Sequence, residues 1–464
     1  MHVATLMQTF TDRRGRPGGT PQLRRGQVMR RRGAIAAAAA AVLGMAGCGG
    51  PAEEEQASEL EWDDEAGQYV IEEAVASGEV PLKVWFEEDY LAEAVIAAFK
   101  EEFKDEYPDI RIEYELVAKN DAVEKMSLAG EAGNGADVYM SFYDQVARAI
   151  DDGTAAPLGE YTGVLQDRMS EAFTSVVSVE DQMYAVPVTT ESLALIYNTT
   201  LLQELTGAPD PATTWEEIRS LAADYNDPST NRWTLRMSTA EIYRAYPILS
   251  SAGWKVYPDG NVDDPGFDDA ALTGALDYYA GLREIYDVPS ADSTWETIEE
   301  AFAKGETPYV ITGPWAFSLF DTGAAENGFE YGVTTLPTVD GGAPAGAFAG
   351  MHVAVVSGYS EHPAAARVFA NFMASDAGAA AVYGATGQIP AVNGDLLAGI
   401  EGIEDDPHVA GIVAQSANAE LIPQVPQYFW ETGNTMVIDV WDGLSDAAAA
   451  QEKAVATYSE LHGL

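Results

Sequence analysis

The stretch PVTTESLALIYN, residues 187–198, is apolar over most of its length but carries an acid, Glu191, near its centre. Leucine, isoleucine and tyrosine follow the acid, and this composition is typical of a buried β-strand. An ionised carboxylate beside so much apolar chain must reach water, a cation or hydrogen-bond donors. Glu191 is therefore the first candidate for a functional residue.

Strand and helix patterns alternate in the part of the chain before this stretch. Short apolar or alternating runs predict strands, and apolar residues at helical spacing predict the helices between them. Pro108 ends the first of these helices. A strand–helix–strand–helix–strand order is typical of an α/β lobe. The predicted strands cover 82–86, 110–116 and 136–140, and the predicted helices cover 91–103 and 122–128.

A second run of elements follows the same stretch. Thr214-Trp-Glu-Glu217 has the sequence of a capping box, in which Thr214 caps a helix and Glu217 reaches back. A third α/β run covers 329–400, and an Ala-rich helical segment covers 435–462. The remaining patterns predict helices over 239–252, 268–285 and 295–303 and a strand over 309–312.

The chain is strongly acidic, with 74 Asp and Glu against 25 Lys and Arg among 464 residues and a formal charge of −49. This charge excludes nucleic acid as a partner, because the phosphate backbone would be repelled, and it disfavours anionic ligands. It predicts a hydrated acidic surface suited to high salt. The length predicts two or more lobes rather than one core.

The first 48 residues are predicted to be a lipoprotein export signal that ends in Cys48. Three arginines at 30–32 precede an apolar run over 33–47, which is the order of an export signal. Met45-Ala-Gly-Cys48 resembles a bacterial lipobox, and lipidation of the cysteine would hold the protein on a membrane surface. Because Cys48 is the only cysteine, no internal disulfide forms. Residues 49–80 are predicted to form an acidic tether, in which part of 66–77 could be a short helix.

A later stretch, EAFAKGETPYVITGPWAF at 300–317, closely resembles the corresponding part of bacterial maltose/maltodextrin-binding proteins. These proteins are the extracellular solute-binding components of ABC importers, and Gly-Pro-Trp-Ala is fairly specific to their carbohydrate-binding members. The similarity extends over nearly the whole mature chain. Four weaker segments match in the same order, at 190–198, 214–217, 331–337 and 422–427.

The resemblance implies an α/β, two-lobed fold of the periplasmic-binding-protein type (type II), with a ligand cleft between lobes joined by hinge crossovers. Lobe 1 is expected over 81–189 plus 354–402, and lobe 2 over 190–353 plus 403–464. A cleft between lobes is a usual place for a small ligand, and such lobes hinge shut on it.

The resemblance also implies a sugar site made of acids and aromatic rings. Carboxylates form strong hydrogen bonds with sugar hydroxyls, and aromatic rings offer rigid apolar surface to the C–H faces of a sugar. Near Trp430, Tyr428 and Phe429 compete for the same stacking role, while Phe317 is expected in the core. The residues that match ligand contacts of the family are Glu191, Glu241, Tyr243, Trp315, Trp430 and Asp144.

The chain departs from the family at two places in lobe 1. Ser141 and Gln145 stand where maltose binders have a tryptophan and an arginine, so Phe142 or Tyr143 could supply the aromatic surface. The second departure is the loop after the first strand, which carries an acid and a base in the family. Here it is shorter and has no base, and any of its acids could bind hydroxyls or simply be solvated. These acids are Glu87, Glu88 and Asp89.

The expected function is capture of a neutral di- or oligosaccharide outside the cell for an ABC sugar importer. An α-glucan oligosaccharide, a trehalose-like disaccharide and other neutral glycosides all stay open. The protein would act as a monomer, anchored at the cell surface or in the periplasm through Cys48, and would deliver sugar to the transmembrane permease subunits. No cofactor is expected, and no metal site at the five histidines, because they lack ligand spacing. The oxygen-rich segment 259–264 is interpreted as a turn, and a structural Ca²⁺ there stays open.

Alternative functions stay open beside this one. A secreted glycosidase could use Glu191 and Glu241 as its two carboxylates, and the cleft could instead bind a non-sugar solute. Presentation of a sugar to a chemoreceptor would use the same cleft as import.

Overall fold

The computed structural model describes residues 60–71, 80–108, 110–258, 261, 263–421 and 425–463. The predicted export signal with Cys48, together with 49–59 and 72–79 of the predicted tether, lies outside these residues. Within the described ranges, no helix combines the length and the apolar composition that crossing a membrane requires.

Strands and helices alternate along most of the chain, as the sequence patterns predict. The strands are β1 (Trp62–Asp63), β2 (Gln68–Tyr69), β3 (Val80–Phe86), β4 (Ile110–Leu116), β5 (Val138–Phe142), β6 (Ser178–Val179), β7 (Gln182–Met183), β8 (Val186–Ser192), β9 (Ala194–Asn198), β10 (Leu235–Arg236), β11 (Tyr309–Thr312), β12 (Tyr331–Thr334), β13 (Ala347–Val356), β14 (Ile389–Pro390) and β15 (Ala419–Leu421). The helices are α1 (Asp89–Glu102), α2 (Lys119–Ala129), α3 (Val146–Asp151), α4 (Tyr161–Arg168), α5 (Glu171–Ser175), α6 (Thr199–Thr206), α7 (Trp215–Tyr225), α8 (Ile242–Ser251), α9 (Ala270–Gly281), α10 (Trp295–Ala303), α11 (Phe317–Asn327), α12 (Pro363–Phe372), α13 (Asp376–Thr386), α14 (Gly394–Ala398), α15 (Pro407–Ser416), α16 (Gln427–Trp441) and α17 (Ala447–His462).

Two separate sheets organise these elements into an α/β fold with two lobes. The seven-stranded sheet of lobe 1 has the order β14-β8-β13-β5-β3-β4, with β15 paired to β13. The four-stranded sheet of lobe 2 has the order β10-β11-β9-β12. In lobe 1, β3 pairs in parallel with β4 and with β5, so α1 and α2 are the crossover helices that parallel pairing requires. The predicted strand–helix rhythm of this lobe is confirmed.

The stretch 187–198 belongs to two strands rather than to the single strand that its composition predicts. β8 pairs with β13 of lobe 1 as far as Ser192, whereas β9 pairs with β11 and β12 of lobe 2. Leu193 lies between them and is the point at which the chain passes from one lobe to the other. The pairing breaks here because one strand cannot continue its ladder in two separate sheets. Glu191 therefore lies at the lobe 1 end of a crossover.

The sheets exchange the chain at positions that differ from the expected lobe boundaries. β8 stays in lobe 1 to Ser192 and β13 returns to lobe 1 at Ala347, whereas the expected boundaries lie at 190 and 354. β15 also pairs with β13 in lobe 1, although the segment 403–464 is expected in lobe 2. The sequence pattern cannot show these shifts, because sheet membership depends on partners that are distant along the chain.

Residues 60–71 form a packed hairpin rather than the predicted tether and short helix. β1 pairs with β2 in antiparallel fashion, and Tyr69 is buried. The rings of Trp62, Tyr69 and Tyr161 meet edge to face, with centroid distances of 5.0 to 5.3 Å. The few apolar residues of this acidic segment therefore bury their surface against lobe 1, which is energetically favourable.

The helical segment predicted over 435–462 is two helices, α16 and α17. Gly443 adopts a left-handed φ of 68° in the turn between them, and Asp446 caps α17 by accepting a hydrogen bond from the Ala449 amide. α16 begins before the predicted segment, and α16 and α17 both pack against α9, with α16 also packing against α8 of lobe 2. Trp430 therefore lies in the first turn of a lobe 2 helix.

Two local predictions in lobe 2 are confirmed. The Thr214 hydroxyl accepts a hydrogen bond from the Glu217 amide at 3.3 Å, and the Glu217 carboxylate accepts one from the Thr214 amide at 3.1 Å. This capping box starts α7 by satisfying two backbone donors that the helix leaves free. Phe317 is buried in the core of lobe 2, as expected.

Candidate functional site

The position of Glu191 depends on a glycine in the neighbouring strand. Glu191 on β8 is directly opposite Gly350 on β13. A Cβ atom at position 350 would lie 2.7 Å from Glu191 Oε1 and 2.9 Å from its Cγ. The glycine therefore leaves the space that the Glu191 side chain occupies, and Glu191 itself is only 8% exposed.

A histidine is the partner of this buried carboxylate. His352 Nε2 lies 3.1 Å from Glu191 Oε2, and the Phe142 ring packs edge-on against the imidazole at 5.1 Å. Burial acts to raise the pKa of Glu191, but the imidazole of His352 outweighs it and the pKa lies below its ordinary value. The imidazole of His352 is therefore the polar partner that this buried carboxylate requires. Sequence reasoning missed His352, although its two-residue spacing from Gly350 along β13 places both on one face.

The acids of the loop after β3 are paired with a base that belongs to another element. Lys119 begins α2 and is 3% exposed. Its Nζ lies 2.7 Å from Glu87 Oε2 and 3.1 Å from Glu88 Oε1. The loop itself has no base, so Lys119 supplies its positive charge in space. Burial acts to raise the pKa of Glu87, but the neighbouring Lys119 lowers it, and the pKa lies below its ordinary value.

Asp89, the third acid of this loop, has a different partner from Glu87 and Glu88. It is exposed as the first residue of α1 and accepts a hydrogen bond from the Tyr114 hydroxyl. This hydrogen bond directs the Asp89 carboxylate toward the neighbouring edge strand β4, and its contact with a ligand stays a prediction.

Asp144 connects lobe 1 to lobe 2. It lies in the 3-10 helix Tyr143–Gln145, directly after β5. Burial raises the pKa of Asp144 to about 6, and the nearby Trp430 indole acts in the opposite direction on this pKa. Tyr143, also expected at the site, is 5% exposed and packs in the core of lobe 1. The neighbouring Phe142, in contact with His352, is the aromatic residue at this position of the site.

A row of aromatic rings combines three residues of lobe 2 with one residue of β13. The Tyr243 ring lies 6.5 Å from Trp315 and 5.8 Å from Phe348, and Phe348 lies 5.8 Å from Trp430. Phe348 is on β13, where the chain enters lobe 1, and sequence reasoning did not identify it. The row brings together the three aromatic residues that the resemblance assigns to the ligand and adds this fourth ring between them.

Trp315 is half-buried and follows β11 in the 3-10 helix Pro314–Ala316. Its ring lies over Gly313 so closely that a Cβ at that position would be 2.1 Å from it. Phe317, two residues later, turns into the core. The Gly-Pro-Trp sequence therefore keeps Trp315 partly exposed by folding the indole over its own backbone.

Glu241 and Arg244 form an ion pair at the start of α8. Arg244 Nε donates to Glu241 Oε2 at 2.8 Å, and the Glu241 side chain remains 39% exposed. The Arg244 guanidinium lies 5.4 Å from the centroid of the Trp315 ring, a distance at which a cation is attracted to the ring face. Glu241 is thus held near Trp315 with one face still open to solvent.

The competition around Trp430 is resolved by the neighbours of each residue. The Tyr428 hydroxyl lies 2.5 Å from His462 Nδ1 on α17, and Phe429 is fully buried. Trp430 is half-buried and reaches Asp144. Of the three residues, Trp430 is therefore the one at the interface between the lobes.

Four buried polar atoms near the site have no hydrogen-bond partner among the described residues. Glu191 Oε2 lies 3.1 Å from His352 Nε2 but has no well-aligned hydrogen bond. Buried polar atoms are nearly always hydrogen-bonded, so this group suits a polar, hydroxyl-bearing molecule. The four atoms are Glu88 Oε2, Ser141 Oγ, Glu191 Oε2 and Tyr243 OH.

Comparison with known proteins gives consistent matches. The maltooligosaccharide ABC transporter solute-binding lipoprotein of Streptococcus pneumoniae (strain R6) is 25% identical over 348 residues, which are 73% of this chain and 79% of the relative. The maltodextrin-binding protein of Bacillus subtilis (strain 168) is 25% identical over 405 residues, covering 83% of this chain and 91% of the relative. The galactooligosaccharide-binding protein of the same organism is 25% identical over 374 residues, covering 78% and 84%.

A solved structure and a family model agree with these relatives. The crystal structure of a cyclo/maltodextrin-binding protein complexed with maltotetraose matches with a TM-score of 0.68 at 24% identity, over 82% of this chain and 96% of that chain. This likeness shows the two-lobed fold. The family model described as bacterial extracellular solute-binding protein matches residues 94–411, which is more than half of the chain. The chain therefore belongs to the family of bacterial extracellular solute-binding proteins.

Proposed function

We propose that the protein captures a neutral oligosaccharide between its two lobes and delivers it to the membrane permease of an ABC importer. The observation that carries this proposal is the meeting of acids and aromatic rings from different lobes. Asp144 and Glu191 come from lobe 1, and Trp315 and Trp430 come from lobe 2.

The chemistry of this site suits a sugar. Carboxylates accept strong hydrogen bonds from hydroxyl groups, and indole rings pack against the C–H faces of sugar rings. A ligand held by both lobes favours the closed arrangement, because only contacts that differ between two states can shift their equilibrium. Release to the permease then requires the lobes to open.

An α-glucan is the first choice of sugar. Relatives at 25% identity are named for maltooligosaccharides and for maltodextrin, and the matched crystal structure contains maltotetraose. One relative of the same identity is named for galactooligosaccharides, so linkage selectivity is a property to be measured. The changes at Ser141 and Gln145 lie where maltose binders contact the sugar, and they favour an oligosaccharide of different length or linkage over maltose itself.

The site is proposed to bind without turnover, and the protein to be held at the membrane through lipidated Cys48. Its relatives are named as binding proteins, and Glu241 is engaged by Arg244 rather than free to act as a nucleophile. The anchor is supported by the Met-Ala-Gly-Cys sequence ending at Cys48 and by the lipoprotein name of one relative.

Thermal-shift and calorimetric titrations test this proposal directly. A ligand that binds only the folded state raises the melting temperature. We expect maltotetraose and related α-glucans to do so, with unchanged sugar on chromatography after incubation. Trp315→Ala should weaken binding by ~2 kcal/mol or more, as for an anchoring aromatic residue. A panel of α-glucans, galactooligosaccharides and trehalose that gives no shift would refute sugar capture, and released monosaccharide would refute binding without turnover.

A further inference from the structure

A buried acid outside the expected site holds the edge of the Trp315 indole. Glu299 lies on α10 and is 3% exposed. Its Oε1 accepts one hydrogen bond from the Trp315 indole N–H at 3.0 Å and another from the Thr312 hydroxyl at 2.5 Å. Hydrogen bonds to a carboxylate are stronger than those between neutral groups. The indole edge is therefore fixed in direction by an acceptor that is almost entirely buried.

Two further contacts fix the plane of the same ring. The Arg244 guanidinium lies 5.4 Å from the ring centroid, and Arg244 Nη1 donates to Thr312 Oγ1 at 3.5 Å. On the backbone side the ring lies against Gly313, where a Cβ would be 2.1 Å away. Arg244 also compensates the buried charge of Glu299, which would otherwise be costly.

We propose that Glu299 is a positioning residue that holds Trp315 in the orientation needed to stack on a sugar ring. This inference rests on the proposed function, because that function gives Trp315 its contact with the ligand. Glu299 does not face the ligand and acts through Trp315. Thr312 completes the arrangement by donating a hydrogen bond to the same carboxylate, and Arg244 completes it by lying near the same ring.

All members of this arrangement belong to lobe 2. The hydrogen bond and the ring contact that orient the Trp315 indole are thus made within lobe 2. An aromatic ring that is ordered in advance loses less conformational freedom when the ligand arrives, and pre-organisation of this kind increases affinity. A freely rotating indole at the same position would offer the same surface but bind more weakly.

Variants of the full chain separate positioning from general stability. Glu299→Leu removes the acceptor, Glu299→Gln retains an oxygen that can accept from the indole, and Glu300→Gln is a matched control. Glu300 is the exposed neighbour on the same helix, and its carboxylate pairs with Lys304 at 2.9 Å. Two readouts apply: calorimetry with maltotetraose, and fluorine NMR of protein labelled with 5-fluorotryptophan. Trp315→Phe identifies the Trp315 signal.

We expect Glu299→Leu to shift or broaden the Trp315 signal in the ligand-free protein and to weaken maltotetraose binding about tenfold or more, the scale of a lost charge-assisted hydrogen bond. Glu299→Gln should remain within about threefold of the original affinity, and Glu300→Gln should change neither readout. An unchanged Trp315 signal and unchanged affinity in Glu299→Leu would overturn the inference.

If Glu299→Leu does not fold, the pH dependence of the Trp315 signal decides instead. Burial raises the pKa of Glu299, so the signal should move with pH in the original protein and stay constant in Glu299→Gln; the same profile in both would overturn the inference. The two proposals also fail separately. An original protein that binds no oligosaccharide overturns both, whereas equal binding by the original protein and Glu299→Leu overturns only the role of Glu299.

Discussion

At the residue scale, the site depends on small side chains as much as on the acids and rings. Gly350 makes room for Glu191, and Gly313 makes room for the Trp315 ring. Neither glycine has a left-handed backbone, so close approach and not conformational freedom is the reason for the absence of a side chain. Of the two glycines, Gly350 is the one that lies against Glu191, the acid at the centre of the site.

Gly350→Ala should displace Glu191 from His352 while leaving the fold intact, because the new methyl group would meet a movable side chain. We expect maltotetraose binding to weaken about tenfold, or ~1.4 kcal/mol, on loss of one aligned carboxylate. Calorimetry measures this effect. Gly346→Ala is the matched control, since its Cβ would have no atom nearer than 3.4 Å, and a similar loss in both variants would contradict the explanation.

The raised pKa of Asp144 predicts that an increase in pH has opposite effects on stability and on sugar binding. Burial raises its pKa to about 6 from an ordinary value of 3.8. The folded state therefore favours the protonated form, and this stabilisation is complete below pH 3.8 and is lost as the pH rises through about 6. The ionised form, however, is the better acceptor for sugar hydroxyls.

The melting temperature of Asp144→Asn should therefore rise relative to that of the original protein as the pH increases from about 4 to about 7. Over the same range, the sugar affinity of the original protein should increase while that of the variant stays flat. Thermal melts and calorimetry at matched ionic strength measure both. A melting-temperature difference that does not depend on pH would show that Asp144 titrates normally.

The residues of the site that sequence reasoning could find are those with a family motif around them. Trp315 follows Gly-Pro, and Glu191 interrupts an apolar run, so each is visible locally. His352, Lys119 and Glu299 are not, because their roles arise from contacts with residues far along the chain.

At the element scale, local signals predicted where most helices and strands lie but not how they pair. The apolar run before and after Glu191 gives no sign that β8 and β9 belong to different sheets, since both read as buried strand. Likewise, the Ala-rich composition of the C-terminal segment hides the turn at Gly443. Element type follows from periodicity, whereas membership of a sheet follows from long-range pairing.

Thr214→Ala should destabilise lobe 2 without changing the site. The capping box that Thr214 forms with Glu217 satisfies backbone donors at the start of α7, and loss of such a cap costs about 1 kcal/mol. Chemical denaturation should show this loss, with Thr214→Ser close to the original protein because it keeps the hydroxyl. Sugar affinity should be unchanged in both, and a weakened affinity would contradict the separation of α7 from the site.

At the scale of the whole molecule, charge sets the conditions for stability. The formal charge of −49 opposes the compact state through self-repulsion, which salt screens. We expect the melting temperature to rise as sodium chloride increases from about 0.1 M to about 2 M, with little change in affinity for a neutral sugar. A melting temperature that falls or stays constant over this range would contradict the prediction.

The position of β13 has a further consequence for how the protein is made. In lobe 1 this strand lies between β8 and β5, yet it is synthesised only after β9 to β12 of lobe 2. Until residues 347–356 emerge from the ribosome, the first lobe has a gap in its centre and two unpaired strand edges, which invite aggregation. The sheet of lobe 1 therefore cannot be completed until all four strands of the lobe 2 sheet have been synthesised.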